Sequence, residues 1–362
     1  MNQNRRAVLS ASGALLVAGE TAWGSDGGYD TAVRRTWRHT EGAPSDRAAV
    51  LRELVRYATL APNGHNTQPW KFRFRRDGID ILPDYSRRTP VVDPDDHHLW
   101  VSLGCAAENL LQATTAFGLL GELTATDSGV HINLSPTAVH RTALFDAIPR
   151  RRSTRAECDG RALSADEIRQ LERAATGLDV RVELLTNQKQ VNEVRDCVIA
   201  GNTAQMADPA FIRELKAWIR FNRNEAVEKR DGLFAGSSGN ADVPRWLGSM
   251  AFDLFFRQNA ENDKYSKQIR SSAGVTVFAA AQASPSGWVA AGRACERFLL
   301  QAAALDVRTA FINQPVEVKT VRTQFASTIG LGDQRPDLVV RFGHGHLMPA
   351  SLRRPVDAVL IE

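Results

Sequence analysis

Two apolar segments of this chain resemble each other at a fixed offset of 188 residues. Both carry small or apolar residues on nearly every side of a helix, which is typical of a helix buried on all faces. A repeat constrains the fold because each copy predicts the same local structure. The repeat predicts two tandem lobes, each built around one buried helix. The matched pairs are Trp100 with Trp288, Val101 with Val289, Gly104 with Gly292, Ala106 with Ala294, Glu108 with Glu296 and Leu111 with Leu299.

A second correspondence runs at an offset of 117 residues. The basic segment 34–38 (RRTWR) matches 151–155 (RRSTR), and a helical triplet, Leu54, Ala58 and Thr59, matches Leu171, Ala175 and Thr176. The two offsets differ by 188 − 117 = 71 residues, so the second copy must hold an insertion of about that size between Thr176 and Trp288. We therefore expect a first lobe over 31–140 and a second over 141–362, with the insertion at about 200–272.

The insertion has its own composition. It holds a Gly- and Ser-rich run at 231–240 among several aromatic residues. Glycine and serine favour turns and loops, whereas aromatic side chains need a surface to pack against. Two interpretations stay open: a packed lid over a site, or a helical buttress at the junction of the lobes.

Composition excludes several classes of protein. Hydrophobic residues at 43% and charged residues at 24% are ordinary globular values, so wholesale disorder is excluded. The net charge of +4 is too small to indicate nucleic acid as a partner. The four cysteines are far apart, which signals neither a zinc motif nor a disulfide framework. No apolar run approaches the ~20 residues that span a bilayer.

The N-terminus resembles a targeting segment. Arg5 and Arg6 precede a short apolar stretch and then small residues near Gly24. This order is typical of a signal peptide, and the paired arginines favour the twin-arginine route, which carries folded proteins. We expect residues 1–24 to be a signal segment and the protein to be periplasmic or exported. The alternative is an ordinary terminus with two chance arginines and a cytoplasmic protein.

Periodicity predicts a mixed fold of the α+β class, an α/β layered sandwich. Ser164, followed three residues later by Glu167, resembles a helix capping box. Three-to-four spacing predicts helices over 46–60, 98–118, 164–176, 188–205, 209–228 and 288–305. Alternation or β-branched content predicts strands over 70–75, 79–82, 130–134, 180–185, 274–280 and 337–342.

The segment 61–70 (APNGHNTQPW) is a shaped loop between a helix and a strand, because its proline and glycine require a special backbone path. Asn66 and Gln68 each offer one acceptor oxygen and two donor hydrogens on a short stem. Such amides suit the acceptor–donor–acceptor edge of a flavin's pyrimidine ring. The alternative is an Asx-type turn in which Asn66 only ties its own backbone.

A cluster of arginines at 150–155 surrounds Ser153 and Thr154. Guanidinium groups with a hydroxyl nearby suit a dianionic phosphate, through bidentate and charge-assisted hydrogen bonds. Arg353 and Arg354 could supply a second wall to the same phosphate. The alternative is a solvated basic loop.

Two histidine pairs do not predict a metal site. His344 and His346 lie on a Gly-rich turn without a third ligand nearby, so we expect polar surface residues there, and the same applies to His97 and His98.

Together these motifs resemble the FMN-dependent nitroreductase superfamily. The loop 61–70 is close to that superfamily's A-P-S-x-x-N-x-Q-P-W pattern, and 151–155 looks like its R-R-S-x-R flavin-phosphate motif. Gln314-Pro315, 341–343 (RFG) and 353–355 (RRP) resemble its C-terminal strand, turn and basic tail. The order of the motifs, the tandem halves and the insertion are similar to the Acg-like branch, in which one chain mimics the nitroreductase dimer. The resemblance covers most of the chain, from about Arg34 to Leu360.

The resemblance implies FMN bound across a lobe interface. Asn63 replaces the more common serine of the loop motif, and Asn313 and Gln314 fall where the family presents backbone N–H to flavin N5. No side chain is assigned as a catalytic acid or base, and no metal is implied. The implied cofactor-binding residues are Arg151, Arg152, Ser153, Arg155, Arg353 and Arg354, then Pro62, Asn63, Gly64, Asn66 and Gln68, and finally Asn313 and Gln314.

The repeat indicates one FMN per chain. Position 62 + 117 = 179 begins an alternating strand without the amide motif, so the symmetric second site lacks half of its residues. Trp37, inside the first basic segment, would clash with a phosphate there. We expect a monomer whose internal pseudo-dimer supplies the whole site.

The expected function is an oxidoreductase with a small-molecule electron donor and a nitro-, quinone- or ene-type acceptor. The alternatives are a flavin-holding protein with a lidded site and little turnover, and a structural relic without flavin. Export would remove the protein from cytoplasmic nicotinamide donors, in which case a redox partner protein is expected.

Overall fold

The computed structural model describes residues 27–42 and 44–362. The predicted signal segment 1–24 lies outside the described residues. None of the helices in the described part combines the length and apolar character that a bilayer crossing requires.

Helices and strands are interspersed along the described chain, which confirms the α+β class. The helices are α1 (Gly27–Thr36), α2 (Arg47–Thr59), α3 (His97–Ala116), α4 (Ala143–Ala147), α5 (Ala165–Ala175), α6 (Gln188–Met206), α7 (Pro209–Trp218), α8 (Arg223–Lys229), α9 (Arg245–Phe255), α10 (Gln258–Arg270), α11 (Pro285–Ala304), α12 (Gln314–Glu317) and α13 (Lys319–Thr328). The strands are β1 (Trp70–Phe74), β2 (Gly78–Pro83), β3 (Leu119–Thr126), β4 (Gly129–Pro136), β5 (Val180–Leu185), β6 (Ile219–Arg220), β7 (Leu233–Phe234), β8 (Gly274–Ala280), β9 (Arg308–Phe311), β10 (Leu338–Gly343) and β11 (Leu360–Ile361).

The strands form two principal sheets. The first has the order β11-β1-β2-β4-β3 and is antiparallel apart from β11, which pairs parallel to β1 through Phe72 and Leu360. The second has the order β5-β8-β10-β9 and is antiparallel throughout. The end of the chain therefore returns to the sheet formed by the earliest strands.

The two apolar helices α3 and α11 pack against each other at the centre of the molecule. A Cβ atom at Gly104 would lie 2.1 Å from the carbonyl oxygen of Val289, and one at Gly292 would lie 2.1 Å from that of Val101. The close approach is thus reciprocal between residues related by the offset of 188. Likewise α2 packs on α3 and α5 packs on α11.

The basic segments matched at the shorter offset do not share a local structure. Residues 34–36 end α1, whereas 151–155 is extended and Ser153 bridges to Thr309. The predicted correspondence between these two basic segments was therefore wrong, because helical and extended backbone place the arginines in different geometries.

Most predicted elements are found within one to three residues of their expected bounds, and the capping box of Ser164 and Glu167 is present. The prediction of a single helix over 209–228 was wrong. The structure has two helices there: α7 ends at Trp218, and α8 begins at Arg223. Between them, β6 pairs with β7, and the Asn222 side chain caps α8 by accepting from the Glu225 backbone N–H. Asparagine at a helix N-cap favours a new start over continuation.

Candidate functional site

The loop after α2 is held by its own side chains. His65, Asn66 and Gln68 have φ values of 45°, 54° and 54°, a left-handed backbone that is uncommon outside glycine. The Asn63 side-chain oxygen accepts from the Gln68 backbone N–H at 2.7 Å and closes the loop. The side-chain turn considered for Asn66 is therefore made by Asn63, which leaves the Asn66 side chain to bond elsewhere.

The arginine segment 151–155 lies along strand β9. Ser153 bridges to Thr309, and the Thr154 backbone N–H donates to the Thr309 carbonyl at 2.8 Å. This edge contact fixes the backbone, so that side chains on either side of Ser153 project from a defined position.

Arg353 comes from the C-terminal tail and caps helix α2. Its Nε donates to the Thr59 carbonyl at 2.7 Å, and its Nη2 donates to the carbonyls of Leu60 and Ala61 at 3.3 and 3.1 Å. A cation at the negative end of the helix dipole is stabilising. Burial lowers the pKa of the Arg353 guanidinium to about 9, and the neighbouring Arg151 acts in the same direction.

These three segments meet at one cavity of about 70 Å³. The side chains that line it come from positions as distant in sequence as Trp37 and Arg353. The lining residues are Trp37, Pro62, Asn63, Asn66, Arg151, Arg152, Ser153, Arg155, Leu233, Ser237, Phe311, Pro349, Ser351 and Arg353. Eight of the thirteen predicted cofactor-binding residues line this cavity.

Trp37 does not lie at a separate, second site, so that expectation was wrong. Its ring centroid is 5.0 Å from the Arg353 guanidinium carbon and 5.9 Å from that of Arg151, and its Nε1 donates to the Ser351 carbonyl at 2.9 Å. Cations over an indole face are attracted by the ring quadrupole. Trp37 therefore forms one wall of the arginine-lined cavity.

The arginines of the cavity keep unused donors. Arg151 donates from Nη2 to the Leu60 carbonyl at 3.1 Å, but its Nε and Nη1 atoms have no hydrogen-bond partner among the described residues. The Nε atom of Arg152 is also buried without a hydrogen-bond partner in the described part of the chain. Arg155 makes no hydrogen bond or ion pair through its guanidinium within the described chain, and burial lowers its pKa. Unsatisfied buried donors are costly unless a ligand or water completes them.

Glu296 of α11 is the buried carboxylate that faces this cluster. Its Oε1 lies 3.5 Å from the Arg151 Nε, and its side chain is fully buried. Burial raises the pKa of the Glu296 carboxyl to about 8, Arg151 opposes the shift and Glu108 adds to it. Sequence reasoning did not assign Glu296 to the site, although a charged residue inside an apolar helix was a signal for it.

A second cavity of about 210 Å³ adjoins the first and shares Pro62, Asn63, Arg155, Leu233 and Phe311 with it. Gly64, Asn313 and Gln314 are the other predicted residues that line it. Its remaining lining residues were not assigned from sequence: His65, Thr89, Val92, Asp93, His98, Val101, Ser102, Cys105, Asn202, Gln205, Phe211, Leu215, Phe256, Tyr265, Glu317 and Leu338.

Several buried titratable groups border this second cavity. Burial lowers the pKa of the His65 imidazole to about 4 and raises that of the Tyr265 hydroxyl to about 12. Burial also raises the pKa of Glu317, whose carboxylate accepts from the Gln205 side chain at 2.6 Å. The lining therefore presents buried polar groups, among them the carboxyl groups of Asp93 and Glu317, beside the guanidinium of Arg155.

Gln68 and Arg354 line neither cavity. The Gln68 Nε2 donates to the Arg230 carbonyl at 2.8 Å, and its Oε1 accepts from the Arg354 backbone N–H at 2.8 Å. The Arg354 Nη2 donates to the Ala358 carbonyl at 2.6 Å. The Gln68 side chain therefore connects the loop to the insertion and to the C-terminal tail, whereas the Arg354 side chain bonds within that tail.

The Gly- and Ser-rich run of the insertion lies directly on the loop. Gly232 and Asn66 exchange two hydrogen bonds, and Asp231 forms ion pairs with Arg87 and Arg220. Beyond Gly232, Leu233 and Ser237 line the arginine cavity. The insertion therefore forms part of the wall around the site.

No protein-family model matches the chain. Proteins from two strains of Mycobacterium tuberculosis, CDC 1551 and H37Rv, each carry the name "Putative NAD(P)H nitroreductase". Each is 23% identical to this chain over 329 residues, which cover 86% of this chain and 91% of the relative.

Solved structures with some similarity include two nitroreductases with bound FMN. The Desulfitobacterium hafniense protein is 14% identical, with a TM-score of 0.39, over 62% of this chain and 100% of its own. The Bacteroides fragilis protein is 14% identical, with a TM-score of 0.34, over 57% of this chain and 90% of its own.

Proposed function

We propose that this protein is an FMN-dependent oxidoreductase of the nitroreductase type, of the Acg-like branch, with one FMN site per chain. The observation that carries the proposal is the meeting of three distant segments at one cavity. Together these segments bring to the cavity eight residues that the sequence assigned to flavin: Pro62, Asn63, Asn66, Arg151, Arg152, Ser153, Arg155 and Arg353. Proteins named as NAD(P)H nitroreductases at 23% identity add support.

The donor set fits the phosphate end of FMN. Arg151 and Arg152 keep buried nitrogens without hydrogen-bond partners, and Ser153 offers a hydroxyl between them and Arg155. A dianionic phosphate would satisfy these donors by charge-assisted hydrogen bonds. Arg353 would add positive charge while it remains fixed by the carbonyls at the end of α2.

The junction of the two cavities fits a polar ring system. Arg155 lines both cavities, and the Asn66 Oδ1 is a buried acceptor without a partner in the described chain. When bound, FMN supplies hydride acceptance and donation, while the protein supplies binding and electrostatics. Here the arginines would hold the phosphate, Asn66 would accept from the ring edge, and Leu233 and Phe311 would exclude water.

The larger cavity leaves room for a donor or an acceptor beside the flavin. We propose NAD(P)H as the donor and a nitro-, quinone- or ene-type molecule as the acceptor. A polar lining that also includes the aromatic rings of Phe211 and Phe256 suits a planar acceptor of this kind.

A flavin-holding protein with little turnover is the second candidate. The contact of the insertion with the loop favours it, because the exchange between Asn66 and Gly232 and the ion pairs of Asp231 fasten a wall of the cavity. A wall that stays closed would admit flavin slowly and bar nicotinamide.

One experiment tests both candidates. The purified protein is examined for a flavin absorption spectrum, the released flavin is identified as FMN, and NADPH or NADH is then added without oxygen. Rapid bleaching supports the oxidoreductase. Bleaching by dithionite but not by NADPH or NADH excludes a nicotinamide donor, as both the flavin-holding protein and an exported enzyme with a redox partner predict. Absence of flavin, with no binding of added FMN, contradicts both.

We also propose export by the twin-arginine route, on the sequence of residues 1–24. In that case a redox partner protein would replace the nicotinamide donor. Cell fractionation of the wild type beside a variant with Arg5 and Arg6 both replaced by Lys tests it. A soluble cytoplasmic distribution of both would contradict export.

A further inference from the structure

Three potential metal ligands cluster at the start of helix α3. Asp93, His97 and His98 each offer one ligand atom, and these atoms all lie within 4.8 Å of one another. The two histidines are not surface residues, so that expectation was wrong, because their side chains are 1% and 11% exposed. The sequence argument against a metal considered only the two histidines and did not include Asp93 as a third ligand.

Some imidazole nitrogens of this cluster have no hydrogen-bond partner in the described chain. The His97 Nε2 lies 2.8 Å from the Asp337 Oδ1, which leaves its Nδ1 buried without a partner among the described residues. The His98 Nδ1 lies 3.9 Å from the Asp93 Oδ1, and its Nε2 is also buried without a partner there. Buried polar atoms of this kind call for an explanation, such as a bound ion.

We propose that Asp93, His97 and His98 bind a divalent transition metal, with Zn²⁺ as the ion that the ligand set fits. Two histidines and one carboxylate are a common set for Zn²⁺ with an open fourth position. Asp337 acts behind His97 as the carboxylate that orients a ligating imidazole, an arrangement typical of metal sites.

The spacing is compatible with one ion. Ligand atoms about 2.1 Å from a shared Zn²⁺ can be at most about 4.2 Å apart, so the cluster needs to close by less than about 1 Å. Asp93 accepts the backbone N–H groups of His98 and Leu99 at 3.0 Å each, but each carboxylate oxygen keeps a lone pair.

Charge also decides whether a cation can reside here. The N-terminus of α3 is the positive end of the helix dipole and opposes a cation. The buried carboxylates of Asp93 and Asp337 offset this effect, and Glu317 lies on the wall of the same cavity. Asp95 and Asp96, by contrast, are already paired with Arg335 and Arg88.

The fourth position would face the larger cavity. Asp93 and His98 both line that cavity, whereas His97 and Asp337 lie behind them. A water molecule, or an oxygen or nitrogen atom of a small ligand, would complete the coordination. The metal site does not depend on flavin binding, so either proposal can fail without the other.

The test is metal binding by the full chain, isolated without a metal-affinity tag. Mass spectrometry of protein from zinc-supplemented culture is expected to give about one Zn²⁺ per chain. After removal of metal by a chelator, calorimetry measures Zn²⁺ affinity, and Co²⁺ substitution gives the absorption bands of a low-coordinate site. Failure to retain Zn²⁺ together with failure to bind added Zn²⁺ would overturn the proposal.

Variants locate the site. His98→Ala is expected to abolish the strong binding, and Asp337→Asn to weaken it by about 10–100-fold, as loss of an orienting carboxylate does. His346→Ala, at an exposed histidine, is the matched control and is expected to leave the affinity unchanged. If His346→Ala weakens binding as much as His98→Ala, the metal is held at the surface. Circular dichroism checks that each variant is folded. If a variant is not folded, Asp93→Asn replaces it, because asparagine keeps a side-chain oxygen that can accept from a backbone N–H group.

Discussion

Asn66 and Gly232 exchange two hydrogen bonds across the contact between the loop and the insertion. The Gly232 backbone N–H donates to the Asn66 carbonyl at 3.0 Å, and the Asn66 Nδ2 donates to the Gly232 carbonyl at 3.0 Å. The same side chain donates to the Leu352 carbonyl at 3.1 Å, next to Arg353. One side chain therefore connects the loop, the insertion and the C-terminal tail.

Asn66→Gly is expected to loosen this connection without changing the loop. Glycine accepts the φ of 54° at this position, so the backbone is not strained, and only the side-chain bonds are lost. Hydrogen exchange of residues 231–240 should accelerate, and the release rate of bound FMN should increase. Asn63→Ala removes the bond that closes the loop on Gln68, and is expected to affect the loop more than the insertion. Unchanged exchange in Asn66→Gly would show that the ion pairs of Asp231 and the remaining backbone bond from Gly232 are enough to hold the insertion.

Arg151→Ala is expected to weaken FMN binding by about 10–100-fold, because a charge-assisted hydrogen bond contributes roughly 1.5–3 kcal/mol. The measurement is fluorescence titration of the flavin-free protein. Arg38→Ala is the matched control, since Arg38 belongs to the first basic segment but does not line the cavity. Equal losses for the two variants would contradict the phosphate site at 151–155.

Local patterns predicted the elements that depend on neighbouring residues. The strand β5 was found at 180–185 as expected, because alternation along one segment determines which residues face the core. The break after Trp218 was missed, since it depends on pairing of β6 with β7, a contact between residues 219 and 233. Short strands of this kind carry too little sequence for periodicity to register.

The sequence predicted the residues of the candidate site that belong to a recognisable motif. It missed the residues that reach the site only through tertiary packing. Arg151 and Asn63 belong to motifs, whereas Trp37 reaches the cavity only through the packing of the chain after α1. Gln68 was assigned to flavin because an amide can bond a ring edge, but the same amide bonds Arg230 and Arg354 instead. Sequence specifies the donors and acceptors of a side chain, and only tertiary structure specifies their partners.

Gly104→Ala is expected to destabilise the fold by about 1–3 kcal/mol or more, because the added methyl group would meet the Val289 carbonyl oxygen in a closely packed interior. Gly292→Ala should lower the free energy of unfolding by a similar amount, because its added methyl group would meet the Val101 carbonyl oxygen in the reciprocal contact. Chemical denaturation measures both. Gly28→Ala, where a Cβ meets nothing within 4 Å, is the control and should be neutral or slightly stabilising. A large difference between the two central variants would contradict an equivalent role for the matched helices.

Glu296→Gln is expected to change how stability depends on pH. Burial raises the pKa of the Glu296 carboxyl to about 8 in the folded protein from the ordinary value of 4.5. The folded state therefore binds the proton more tightly, so this stabilisation is complete below about pH 4.5 and is lost as the pH rises through about 8. The loss amounts to at most about 1.4 kcal/mol per pH unit within that window.

Urea denaturation from pH 5 to pH 9 measures the difference in unfolding free energy between Glu296→Gln and the wild type. The unfolding free energy of the variant should increase relative to that of the wild type as the pH rises, since glutamine cannot ionise. The difference between the two unfolding free energies should level off above about pH 8. The same substitution at Glu108, the matching position of α3, removes the partner of Arg293 at 3.0 Å and should destabilise the fold at neutral pH. A pH-independent difference for Glu296→Gln would mean that Glu296 is ionised throughout, with Arg151 as its permanent partner. In that case fewer positive charges of the cavity would be free for a phosphate, and the same variant should then bind FMN more tightly than the wild type.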